Sequence, residues 1–266
     1  MTRDAYTWLY AIASAADDRP DPGRLSGVAG ERPRLLTSEG LAAVVGSVPP
    51  SDFDATALQQ HLQDPAWLEA AVRAHHRVVD VLAQSSHALP LRFATLYHDD
   101  QRVLDLLQQH RRAFQAALER IAGRMEWGVK GYLDTAHRPP DEDADSTGTP
   151  SPGRPGTAYL LRRRAARDQA GRALDDAAER AGQIHRRLAE YADEATEHPL
   201  QSAEMTAVRD PMVLNGAYLV GRGRAQGFTD LLADLRQAHA PALRVELTGP
   251  WPPYSFVELP TTDGGR

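Results

Sequence analysis

Apolar positions along the chain switch between two periods, and each stretch predicts an element. Trp8, Tyr10 and Ile12 alternate with Leu9, Ala11 and Ala13 as a buried strand would, and a loop rich in Pro, Gly and Asp follows from Asp17 to Arg34. Leu35 and Leu36, a Thr-Ser-Glu-Gly turn and LAAVVGSV from Leu41 to Val48 predict a hairpin-like pair, stopped by Pro49 and Pro50. Between Asp64 and Ser85, Leu68, Ala71, Val72, Val78, Val79 and Leu82 recur at helical spacing behind Pro65. LPLRFATLY, Leu89 to Tyr97, is short and apolar apart from Arg92 and predicts a central strand. A second helix opens at Asp99 and Asp100, with the seam Val103, Leu107, His110, Phe114, Ala117 and Ile121, and ends at Gly123.

The second half has a regular order. Met125 to Asp134 predicts a strand. Residues 134 to 156, with five prolines, three glycines and a cluster of acids, carry neither period and predict a disordered acidic loop. From about Thr157 the pattern is helical for some forty residues, ending before Pro199. Its second half bears an Ala-rich seam of Leu174, Ala177, Ala181, Ile184, Leu188, Tyr191 and Ala195. Ser202 to Val208 and Val213 to Val220 predict two strands, Ala225 to His239 a helix and Ala242 to Leu247 a last strand. Strand, long helix, strand, strand, helix, strand is the order of a ferredoxin-like βαββαβ sandwich. The expected architecture is therefore α+β in two domains: an N-terminal α+β domain over 1–123 and a ferredoxin-like domain with one long helix over 124–266.

Composition narrows the function. The 266 residues include 30 basic and 36 acidic side chains, a net charge of −6, so no global positive field favours nucleic acid or an anionic membrane. The absence of cysteine excludes disulfides, thiolate nucleophiles and cysteine-ligated metals. No apolar run approaches the length of a membrane span. The Asp4 charge beside Arg3 argues against a secretory signal, so a cytoplasmic protein is expected.

Several stretches invite a chemical reading. Gly221 to Gly227 (GRGRAQG) lies between a predicted strand and helix, with Glu246 nineteen residues on, as a dinucleotide turn would. Its third glycine is one place late for that fingerprint, and a ligand-free turn is the commoner reading. Asp141, Asp143 and Asp145 open like a calcium loop, but Ser146 and Pro152 stand where its glycine and glutamate belong. His75 and His76, adjacent on a helix, point about 100° apart and cannot chelate one ion. Arg162 to Arg164 fan around a helix and suit solvent or the acidic loop. Arg92 in an apolar strand needs acceptors, as an ion-pair staple or a binding residue. No nucleophile, base and orienter assemble, and no cofactor or metal is implied. Trp251, Tyr254 and Phe256, set among prolines in GPWPPYSFV, suit either a clamp on the core or a recognition surface.

LYAI (Leu9 to Ile12), LPLRFATLY, EWGVKGYL (Glu126 to Leu133), GTAYLLRR (Gly156 to Arg163), VLNGAYLV (Val213 to Val220) and TGPWPPYSFV (Thr248 to Val257) together resemble the GvpL/GvpF family of gas vesicle accessory proteins. The matches run in order over nearly the whole chain, and the GPWPPYSF block is the most specific. Ala94 stands where that family more often has glycine, and Gly216 where it has alanine. The resemblance implies two α+β domains, the second a modified ferredoxin fold, in a protein that is not an enzyme; the single lysine among 30 basic residues reads separately as the mark of a GC-rich bacterial genome. The resemblance also implies a role in building gas vesicles by binding GvpA, the small and very apolar shell protein, and other accessory proteins, with neither nucleic acid nor membrane as partner. The candidate contacts are Trp251, Tyr254 and Phe256 of the tail and Leu174, Ile184, Leu188 and Tyr191 of the helical seam, if uncovered. The alternative is a ferredoxin-like nucleotide- or small-molecule-binding regulator using Gly221 to Gly227.

Overall fold

The computed structural model describes residues 5–16, 21–85, 87–135, 155–201 and 210–257. Contacts divide the chain into two compact units, one of residues 1–126 with 250–266 and one of 127–249. The sequence places the boundary at 123/124 and the tail in the second domain. The tail's contacts lie instead within the first unit, where Val257 joins the core of Leu9, Phe114 and Ile121 and the Phe256 carbonyl accepts from Arg120.

In the first unit, β1 (Tyr6–Ser14) is the apolar run around Trp8 to Ala13, and it pairs with β3 (Leu41–Val48). β2 (Arg34–Ser38) joins β3 through Glu39 and Gly40, both at positive φ, as a tight hairpin turn requires. Beyond the short helices α1 (Pro50–Phe53) and α2 (Ala55–His61), α3 (Pro65–Ser85) follows the predicted spacing. The expected strand Leu89 to Tyr97 divides into β4 (Ala88–Pro90) and β5 (Leu96–Tyr97), both pairing with β1. Between them the chain turns: Thr95 Oγ1 donates to the Arg92 carbonyl at 2.7 Å, and Ala94 adopts φ 65°. Arg92 is thereby exposed on a turn, and the expected buried staple is corrected. The sheet order is β2-β3-β1-β4. The second predicted helix is two, α4 (Asp100–Gln109) and α5 (Arg111–Ile121), broken at His110 but sharing the apolar side of Val103, Leu107, Phe114 and Ile121. One core lies between these helices and the sheet, and a second gathers Trp8, Tyr10, Phe53, Val78, Val79 and Leu82.

The second unit begins within β6 (Arg124–Leu133), which feeds the long α6 (Pro155–Tyr191). β7 (Glu194–Glu197), β8 (Met212–Gly221), α7 (Ala225–His239) and β9 (Leu243–Trp251) complete it. The sheet order β7-β8-β6-β9 is that of a ferredoxin-like sandwich, as the element order predicts. One strand differs. The helix stops at Tyr191, whose carbonyl accepts from the Arg224 guanidinium, and Glu194–Glu197 pairs antiparallel with β8 where the helical seam was expected to run on. The expected strand Ser202 to Val208 and the acidic run at Asp141, Asp143 and Asp145 lie outside the described residues.

Candidate functional site

The aromatic tail is built into the first unit by its backbone and by two of its aromatic side chains. Pro252 and Pro253 are buried and hold the chain extended into a short turn, where Tyr254 N–H donates to the Pro252 carbonyl at 2.8 Å. The buried carboxylate of Glu126 receives both Ser255 N–H and Ser255 Oγ at 2.7 Å. Arg120 donates to the Phe256 carbonyl, and the Phe256 ring is buried. Such charge-assisted pairs are stronger than neutral hydrogen bonds, so the segment is pinned. Tyr254 packs against the core beside Trp8, with its ring 6.0 Å from that of His76. Burial, then the charges of Asp80 and Glu126, push its phenol above the ordinary range and keep it neutral.

Trp251 remains 41% exposed, set edge-on to His76 at 5.4 Å between ring centroids. His76 lies on the face of α3 that continues through Val72, 41% exposed, and half-buried Leu68 at four-residue spacing. The result is an apolar face with a proline-stiffened tryptophan at one end. A rigid, half-exposed aromatic loses little freedom on binding, which is the character of an interface anchor.

The other histidine of the pair is structural. Trp8 Nε1 donates to His75 Nδ1 at 3.1 Å, and His75 Nε2 faces the Leu91 carbonyl at 3.0 Å. That arrangement needs the proton on Nε2 alone, since a second one on Nδ1 would meet the indole N–H. Burial, more than the carbonyl of Leu91 can offset, lowers its pKa to about 4. Arg34 and Thr7 both donate to Asp100 Oδ1. Burial opposes ionisation there, but these bonds and the Arg34 charge outweigh it and hold the carboxyl below its usual range.

In the second unit the seam is largely consumed. Ile184 and Leu188 are fully buried at 0% exposure against Val129, Leu214, Tyr218 and Phe228, so both are core residues and the expectation of a contact surface there is corrected. Tyr191 is half-buried under the Arg224 guanidinium, 4.5 Å from its ring centre, and Gly227 exists as glycine because a Cβ would come within 2.3 Å of the Tyr191 hydroxyl. Only Leu174, 40% exposed, remains open. The glycine-rich turn also has its anion already. Asp193 accepts from Gly221 N–H at 3.0 Å and from Arg224 at 3.3 Å, so a carboxylate of the chain occupies the place a phosphate would take. Among the described residues no cluster of His and carboxylates is placed to hold a metal ion, and no helix is long and apolar enough to cross a membrane.

The family model for the gas vesicle synthesis protein GvpL/GvpF matches residues 6–258. Gas vesicle protein L of Streptomyces sp. (strain CB03234) is 39% identical over 264 residues, covering 99% of this chain and 97% of that one. Gas vesicle protein F of the same strain is 26% identical over 263 residues, covering 95% and 99%. The crystal structure of GvpF from Anabaena sp. PCC7120 superposes with a TM-score of 0.63 at 17% identity, over 99% of this chain and 100% of that one, a likeness of fold.

Proposed function

The chain belongs to the GvpL/GvpF family of gas vesicle synthesis proteins, and from that membership we propose that it is an assembly factor that binds the apolar shell protein GvpA, and other accessory proteins, while vesicles form. On this reading it turns over no substrate and acts in the cytoplasm at the growing vesicle. It corresponds to the L-type rather than the F-type member, a reading supported by 39% against 26% identity to the L and F proteins of one Streptomyces strain.

The observation that carries the binding role is the stiffened, half-exposed Trp251 set against His76, on the helix α3 that exposes Val72 one turn away. A shell subunit with one face destined for gas must expose apolar surface until it is placed, and such surface aggregates. A soluble partner with a small apolar face and a net charge of −6 covers that surface and keeps the complex dispersed. Co-expression with GvpA tests it. Soluble GvpA should co-purify with this chain, whereas GvpA that stays insoluble and unbound in its presence would refute the role.

A further inference from the structure

The loop that follows β1 holds two arginines whose neighbours have been turned away from them. Asp21 spends its carboxylate on Gly23 N–H at 3.0 Å, capping the short turn Pro22–Arg24. Glu31 points inward: its Oε1 accepts from Tyr10 Oη at 2.5 Å and its Oε2 from Ala29 N–H at 2.8 Å, while Tyr10 Oη accepts from Val28 N–H at 2.9 Å. Gly27 and Gly46 leave the space for that carboxylate, since a Cβ at either would come within 2.1 Å of Glu31 Oε1. Residues 21–32 are thus held against β1, and the acids of this described stretch, Asp21 and Glu31, are both occupied within it. The guanidinium of Arg34 is likewise taken, by Asp100 and Ser47.

Arg24 and Arg32 are different. Both are exposed, and neither side chain has an acceptor among the described residues. They flank an open depression of about 470 Å³ lined also by Gly23, Leu25, Ser26 and Gly30. We propose that this depression is a docking site for an acidic peptide segment of a partner protein, with Arg24 and Arg32 each holding a carboxylate. The planar guanidinium matches a carboxylate through two parallel N–H donors. Gly23 and Gly30 let a second backbone approach, Ser26 supplies a hydroxyl, and Leu25 gives the segment an apolar floor. The open form suits an extended peptide better than an enclosed small molecule. With a net charge of −6 the whole chain repels such a peptide at long range, so attraction comes from these two side chains at contact. The site is distinct from the face around Trp251 and stands whether or not that face binds GvpA.

Fluorescence anisotropy of a labelled hexaglutamate peptide with the full chain tests the proposal. Saturable binding is expected, weakened by about ten-fold or more in the double variant Arg24→Ala/Arg32→Ala. The double variant Arg163→Ala/Arg164→Ala removes the same charge from α6 and should bind within about two-fold of the wild type. Millimolar inorganic phosphate at matched ionic strength should leave the complex intact. No binding, an equal loss in both double variants, or displacement of the peptide by phosphate alone would each overturn the proposal. The substituted side chains are exposed, and an unchanged melting temperature confirms folding.

Discussion

The seam of α6 and the tail at Trp251 are both apolar series in the sequence, one at helical intervals and one set among prolines, and the protein uses them differently. From Ala177 to Leu188 the seam is spent on the core of the second unit, and Leu174 is left open beyond it. The tail is pinned by Glu126, Arg120 and buried Phe256, and that pinning holds Trp251 half outside. A helical seam buries wherever a sheet lies beneath it. A proline-stiffened segment held by hydrogen bonds to its backbone and to Ser255 can keep one aromatic ring free.

The largest effects should come from the spent residues. Phe256→Ala should cost about 4 kcal/mol and Leu188→Ala about 3 kcal/mol in urea denaturation, each read by hydrogen exchange in its own unit, because each opens a cavity in a filled core. If Leu188→Ala were nearly neutral, the seam would not be core. Acid should then separate the units. His75 takes its proton near pH 4 when folded and near 6.5 when free, so the unfolded chain binds the extra proton between those values. The first unit should keep its full stability above about pH 6.5 and lose about 3 kcal/mol as the pH falls to about 4. Asp100, its pKa depressed by Arg34 and Thr7, extends the loss to lower pH. The variant His75→Gln should flatten the pH dependence between 6.5 and 4. A smaller gain is expected from Ala94→Gly: φ 65° strains alanine, and glycine should raise stability by about 0.5 kcal/mol despite its greater freedom when unfolded. Smallest of all, Leu174→Ser should change stability by less than about 0.5 kcal/mol.

Much of the fold was legible because period and punctuation agree: the hairpin at Glu39 and Gly40, α3 behind Pro65, and the βαββαβ order of the second unit. The failures have physical causes. LPLRFATLY reads as one strand because nothing in it announces that Ala94 will adopt a left-handed backbone. β7 lies in a helical pattern because Ala195 fits both periods, and the chain leaves the helix where Asp193 N–H donates to the Leu219 carbonyl and Arg224 to the Tyr191 carbonyl, partners far along the chain. His75 and His76 are alike in sequence. Their separation into a buried acceptor for Trp8 and a support for Trp251 depends on contacts across the fold, and His76 meets the tail 178 residues later. Trp251 was legible from its flanking prolines, whereas the share of Val72 in the same face needed the orientation of α3.

The most direct test of the central claim compares two surface variants in co-expression with GvpA, measuring the fraction of GvpA that stays soluble and co-purifies. The double variant Val72→Ser/Trp251→Ser should lose most of that fraction while its melting temperature holds, and Leu174→Ser should keep it. Undiminished capture of GvpA by the double variant would contradict the account.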